Sequence, residues 1–172
     1  MSLQRLELVV DHELVLRQFA IQDAQAIYDL ISASREHLSQ NGDRTSAKYP
    51  DLASVVASIT FPQNPRRLRM GMWNRESVLV GSINLTPEEV QPAAEVGYYL
   101  GAEFQGRGYA SRAVSRIVRY AFEELGLRSV FAKVTPANAA SVGVLERNGF
   151  HLSRQEADEK GELINVYSIV RA

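Results

Sequence analysis

The chain has 172 residues, which at about 100–200 residues per domain predicts a single domain over residues 1–172. Its 45% hydrophobic and 23% charged residues are typical of folded globular proteins and exclude disordered and collagen-like classes. A formal net charge of -1 excludes a general electrostatic attraction to nucleic acid or to an anionic membrane. Cysteine is absent and the three histidines are scattered, so no metal site is expected.

The first half of the chain predicts a hairpin, two helices and a three-stranded meander. Apolar residues alternate over residues 6–10 and 14–16, which predicts two short strands. Helical spacing follows over residues 24–31 and again after Pro50, and the polar segment 34–50 between them predicts a mobile loop or lid. Residues 68–73, 78–85 and 94–100 predict three antiparallel strands.

The second half predicts a glycine-rich loop followed by a helix, a strand, a second helix and two final strands. The order of these elements predicts an α+β fold with one parallel crossover in the sheet. No apolar run approaches the ~20 residues of a membrane span, and the first residues do not resemble a signal peptide. A cytoplasmic protein is therefore expected.

The glycine-rich loop, residues 105–111, is the strongest candidate for a ligand site. It lies between a strand and an amphipathic helix, where unpaired N–H groups and the positive end of the helix converge and favour a phosphate. The alternative is a tight strand-to-helix turn without a ligand. The loop lacks the lysine of a P-loop, and the following strand ends in Thr135 and Pro136 without the acidic residue of a dinucleotide site.

Two motifs together carry a resemblance to a known family. Residues 105–110 match the pattern Q/R-x-x-G-x-G/A, and Asn138 and Ser141 begin a predicted helix that ends at Gly149 and Phe150. With the opening strand and helix, these motifs resemble the Gcn5-related N-acetyltransferase (GNAT) family. The segments LVLR, AEVGYYL and VLE before GF are similar to its RimJ/RimL branch.

The resemblance implies a mostly antiparallel central sheet that is splayed between strands 4 and 5, flanked by helices, and holds acetyl-CoA in the gap. It implies that the backbone at Tyr98, Tyr99 and Leu100 contacts the pantetheine arm and the thioester. It also implies that Asn138 hydrogen-bonds the pantetheine, although that residue can equally be a helix cap. The implied pyrophosphate ligands are Gln105, Gly106, Arg107, Gly108, Tyr109, Ala110 and Ser111.

The resemblance also implies two catalytic residues. Many family members carry a tyrosine acid at the position of Leu145, which has no proton to give, and in the RimJ/RimL branch Ser141 matches the alternative acid. Glu95 matches a glutamate of the AEVGY segment and is the first candidate for the base. The competing interpretations are a helix cap for Ser141 and an ion-paired strand residue for Glu95. The loop residues Glu88, Glu89, Asp43 and His37 are weaker base candidates, each more typical of solvated surface.

The expected reaction is transfer of the acetyl group of acetyl-CoA to a primary amine, by direct attack through a tetrahedral intermediate. A protein N-terminal amine of RimJ/RimL type is the favoured acceptor, because residues 35–69 carry an excess of positive charge that suits a polycation poorly. Two alternatives remain: a small-molecule amine acetyltransferase and a non-catalytic acetyl-CoA-binding module. Neither nucleic acid nor a membrane is expected as a partner, and the sequence allows a homodimer.

Overall fold

The computed structural model describes residues 4–172, which form eight strands and five α-helices. The strands are β1 (Glu7–Val9), β2 (Leu14–Gln18), β3 (Leu68–Asn74), β4 (Leu79–Pro87), β5 (Ala93–Leu100), β6 (Ser129–Val134), β7 (His151–Ala157) and β8 (Leu163–Val170). The helices are α1 (Ala24–Ala33), α2 (Thr45–Lys48), α3 (Leu52–Thr60), α4 (Tyr109–Glu123) and α5 (Ala139–Arg147).

All eight strands join one sheet in the order β1-β2-β3-β4-β5-β6-β8-β7. Every neighbouring pair is antiparallel except β5 and β6, which are parallel and are connected through α4. The α+β fold and the single parallel crossover are therefore confirmed. The expected opening between strands 4 and 5 falls between β5 and β6 of this chain, because the strand that ends at Tyr98, Tyr99 and Leu100 is the fifth strand in chain order.

The opening arises because β5 and β6 pair over a short stretch only. Residues 93–95 of β5 face residues 129–131 of β6, whereas β5 continues to Leu100 and β6 to Val134. Along residues 96–100, β5 is paired with β4 on one side only. Backbone N–H and C=O groups on its other edge have no partner strand, and a bound ligand can satisfy them.

Helix α4 closes one face of the sheet beside this opening. Its residues Ala113, Val114, Ile117 and Ala121 are fully buried, as their helical spacing predicts. Burial of one such larger side chain contributes roughly 1.5–3 kcal/mol to folding. The start of α4 is thus fixed beside the end of β5, which is where the glycine-rich loop connects the two.

The polar segment 34–50 is more ordered than the loop predicted for it. It contains a 3₁₀ turn at His37–Ser39 and the short helix α2. Leu38 is buried in the main core and ties the segment to the fold. No helix among residues 4–172 is long and apolar enough to cross a membrane.

Candidate active site

One cavity lies against the free edge of β5 and brings together most of the residues predicted from the sequence. It is bordered by the end of β5, the glycine loop, the start of α5 and the segment 37–43. The predicted site residues that line it are Tyr98, Tyr99, Leu100, Gln105, Gly106, Gly108, Tyr109, Ala110, Ser111, Asn138 and Ser141.

The glycine loop has the geometry that an anion needs. Gly106 and Gly108 both have φ of 75°, a region that side-chain-bearing residues rarely adopt. A Cβ at Gly106 would meet no atom within 4 Å, so the loop presents open backbone to the cavity. The first turn of α4 follows directly and aims N–H groups toward the same space. This arrangement fits a pyrophosphate group.

Two arginines near the loop are engaged elsewhere. The Arg107 side chain does not line the cavity; its Nη2 donates to the Glu103 carbonyl at 3.4 Å and its guanidinium lies 5.9 Å from the centre of the Phe104 ring. The Arg112 Nη1 forms ion pairs with Asp11 and Glu13 of the N-terminal hairpin. Neither arginine lines the cavity, whereas Gly106, Gly108 and Tyr109 of the loop do.

Ser141 and Tyr98 form a hydroxyl pair across the opening of the sheet. The Tyr98 hydroxyl and Ser141 Oγ are 2.8 Å apart, and the tyrosine also donates to the Ser141 carbonyl at 3.2 Å. Burial raises the pKa of Tyr98 to about 12, so its hydroxyl is protonated at neutral pH. The sequence did not indicate this pairing, because it joins residues 43 positions apart through the fold.

Asn138 caps α5, as one of the two interpretations predicted. Its Oδ1 accepts a hydrogen bond from the Ser141 N–H at 3.1 Å. The residue also lines the cavity, so its amide group can in addition meet a ligand. Leu145 on the same helix is fully buried and does not line the cavity, which agrees with its exclusion as an acid.

Glu95 does not line the cavity. It lies where β5 is still paired with both neighbours, opposite Thr86 of β4 and Phe131 of β6. At ~3.3 Å per residue its Cα is about 10 Å along the strand from that of Tyr98. Burial raises the pKa of Glu95, and the charges of Lys133 and Arg67 partly oppose that effect.

Further residues line the cavity without having been predicted as ligands. Segment 37–43 contributes one wall, and His37 Nε2 lies 2.7 Å from Nε2 of Gln105 in the glycine loop. Val144 and Arg147 contribute from α5. Their spacing of three residues after Ser141 and after each other places them on one helix face, a signal that the sequence did contain.

A second depression, called the acceptor groove below, adjoins the cavity on the sheet face that carries Asn84 and Gly97. The residues that line both the cavity and the groove are Asn41, Asp43, Tyr98, Tyr99, Asn138 and Ser141. The charged residues that line the groove are Asp43, Lys48, Arg67, Arg69 and Lys133. In the sequence, Arg66, Arg67 and Arg69 form a small basic cluster that could attract an acidic peptide or, as favoured, border the sheet. The structure places Arg67 and Arg69 on the wall of this groove.

The splayed sheet, with a glycine-rich loop at its opening, has the fold of an acetyltransferase. A family model described as an acetyltransferase (GNAT) domain matches residues 13–151. The chain therefore belongs to the GNAT family and is an acetyl-CoA-dependent N-acetyltransferase.

Relatives and solved structures agree with this assignment. The chain is 30% identical over 165 residues to the uncharacterized N-acetyltransferase YoaA of Bacillus subtilis, covering 92% of this chain and 93% of that protein. It is 27% identical over 146 residues to the ribosomal-protein-serine acetyltransferase of Escherichia coli, covering 83% and 82%. A RimL ribosomal L7/L12 α-N-protein acetyltransferase, solved with coenzyme A, superposes with a TM-score of 0.86 at 19% identity, covering 96% of this chain and 98% of that one. This last likeness shows a shared fold.

Proposed function

We propose that the protein acetylates the N-terminal amine of a protein or peptide. The observation that carries the proposal is that the cavity and the acceptor groove meet at the Tyr98–Ser141 pair. A donor in the cavity and an acceptor in the groove would then react beside the Ser141 and Tyr98 hydroxyls. A relative described as a ribosomal-protein-serine acetyltransferase supports an acceptor of this kind, and a structural neighbour is described as a ribosomal L7/L12 α-N-protein acetyltransferase.

The charge of the groove favours this acceptor over a polycation. Four basic residues line the groove against the single carboxylate of Asp43. A polyamine or aminoglycoside would bring several positive charges against these residues, whereas a peptide brings the single charge of its terminal amine. The groove is also open to solvent at the sheet surface. The second and later residues of an acceptor peptide can extend through this opening.

Acetyl-CoA supplies an acetyl group activated as a thioester. In the proposed site the glycine loop and the first turn of α4 bind its pyrophosphate, and the free edge of β5 orients the pantetheine arm and the thioester carbonyl. The acceptor amine must be neutral to attack, and Glu95 accepts its proton through a water. Ser141 donates a proton to the sulfur as the carbon–sulfur bond breaks, with Tyr98 holding the hydroxyl in place.

An acceptor panel tests the proposal. Thioester consumption is measured with N-terminal peptides, the same peptides with a blocked N-terminus, monoamines, a polyamine and an aminoglycoside. We expect turnover of free peptides and none of the blocked ones. Turnover of small amines without turnover of peptides would instead establish a small-molecule acetyltransferase. Tight acetyl-CoA binding with no thioester consumption by any amine would establish a binding module.

Substitution of Glu95→Gln is expected to lower kcat/KM about 10²-fold at neutral pH, because general bases contribute factors of this order. Since burial raises the pKa of Glu95, the wild-type kcat/KM should fall as pH drops through a value above the ordinary 4.5 of glutamate. The glutamine variant should lack this acidic limb.

The matched control for this variant is Glu123→Gln, at the exposed far end of α4, which should leave the pH profile unchanged. Acetyl-CoA affinity by calorimetry should be unaltered in both variants. If Glu95→Gln keeps both the wild-type kcat/KM at neutral pH and its decrease at acidic pH, Glu95 is not the base.

A further inference from the structure

Arg69 makes several side-chain contacts in the acceptor groove but forms no ion pair within residues 4–172. Its Nη1 donates to Ser58 Oγ at 2.9 Å, and its guanidinium lies 5.6 Å and 5.8 Å from the ring centres of Phe19 and Tyr49. These contacts fix a side chain that would otherwise be mobile. Among residues 4–172, Arg69 forms no ion pair. Its remaining N–H groups are therefore available for an anion.

The other basic residues of the groove differ in how far they are neutralised. Lys133 forms an ion pair with Glu156 at 2.9 Å. Arg67 donates to Thr86 Oγ1 at 3.1 Å and lies close enough to Glu95 to lower the pKa of that carboxyl, against the larger effect of burial. Lys48 is exposed at the end of α2 and forms no ion pair within the described chain. Among the groove cations that form no ion pair within residues 4–172, Arg69 thus makes the most side-chain contacts.

The strand register sets how far the backbone at Arg69 lies from β5, which carries Tyr98. Arg69 faces Asn84 on β4, and Asn84 faces Gly97 on β5, next to Tyr98. Two strand spacings of ~4.8 Å separate Arg69 from β5 by about 10 Å. An extended peptide advances ~3.3 Å per residue, so the first three residues of an acceptor that enters the groove from the Tyr98–Ser141 pair cover a distance of this order.

We infer that the enzyme selects acceptors that carry a carboxylate at the second or third residue after the reacting amine, and that Arg69 binds this carboxylate. The inference rests on the proposed function, since it requires the acceptor to enter through the groove. A carboxylate paired with a positioned guanidinium makes charge-assisted hydrogen bonds, which are stronger than those of a neutral amide of the same shape.

The test compares two peptides that differ only in charge, one beginning Ser-Asp-Asp and the other Ser-Asn-Asn. For the wild type we expect kcat/KM to be at least about 10-fold higher for the acidic peptide, the size of one charge-assisted hydrogen bond. In Arg69→Gln the ratio of the two kcat/KM values should fall to about one, because kcat/KM decreases for the acidic peptide only. Arg69→Lys should keep part of the preference, because it retains the charge without the planar fork.

Arg66→Gln is the matched control, because Arg66 lies outside the groove and donates to the Glu88 carbonyl at 3.0 Å. This variant should keep the full preference. Acetyl-CoA affinity and thermal stability, measured for every variant, report whether Arg69→Gln preserves the fold.

Other outcomes of the peptide comparison contradict either the role of Arg69 or the proposed function. Equal kcat/KM for the two peptides in the wild type, or a preference that survives Arg69→Gln, would overturn the inference and leave the proposed function standing. An equal loss for both peptides in Arg69→Gln would assign Arg69 a purely structural role, which also overturns it. Failure of both peptides alongside turnover of small amines would overturn the proposed function itself.

Discussion

Gly108→Glu should weaken acetyl-CoA binding at least about 100-fold, because it places a carboxylate where the pyrophosphate is expected. The backbone at Gly108 has φ of 75°, which side-chain-bearing residues rarely adopt. The N–H groups at the start of α4, which follows directly, favour a ligand anion. Unit charges about 4 Å apart near a protein surface repel by about 4 kcal/mol, which more than accounts for the expected loss. Isothermal titration calorimetry with acetyl-CoA measures the effect.

The matched control is Gly126→Glu at the opposite end of α4. Gly126 also has a positive φ, of 67°, and a Cβ there meets nothing within 4 Å. Both variants therefore incur the backbone strain of a left-handed residue, about 1–2 kcal/mol, while Gly126 lies about 22 Å from the loop along the helix. Folded Gly108→Glu protein with wild-type acetyl-CoA affinity would show that the pyrophosphate binds elsewhere.

The parts of this site that the sequence predicted are those built from neighbouring residues. The glycine loop is a contiguous segment, and its positive-φ glycines and following helix start are encoded within seven residues. Asn138 and Ser141 are likewise joined by a cap within one helical turn. Local geometry of this kind follows from residue type and spacing, so the cavity wall formed by residues 105–111 could be recognised in advance.

The parts that escaped prediction depend on tertiary register. Tyr98 meets Ser141 because β5 and α5 face each other across the opening, and nothing in either segment specifies the other. Arg112 has the right position to bind a phosphate, but Asp11 and Glu13 of the distant hairpin pair with it. The sequence favours a position at the border of the sheet for Arg69, and only the register of β3, β4 and β5 shows that it lies in the acceptor groove.

Ser141→Ala should lower kcat about 10²-fold at neutral pH and leave acetyl-CoA affinity nearly unchanged. General acids contribute factors of this order, and the substitution removes the only atom that the proposal requires of this residue. The local structure should persist, because Asn138 caps α5 through the Ser141 backbone N–H and Tyr98 also donates to the Ser141 carbonyl. Stopped-flow measurement of thiol release under single-turnover conditions isolates the chemical step.

A pH series separates loss of an acid from a general disturbance of the site. A thiol of ordinary pKa, about 8.5, leaves as a stable thiolate above that pH and then needs no proton from the enzyme. The deficit of Ser141→Ala should therefore be largest near neutral pH and shrink as pH rises past this value. Ser153→Ala, whose hydroxyl donates to the Val166 carbonyl in the distant β7–β8 hairpin, should match the wild type throughout. A deficit that is constant with pH would mean that Ser141 positions the reactants, and an absent deficit would mean that water protonates the thiolate.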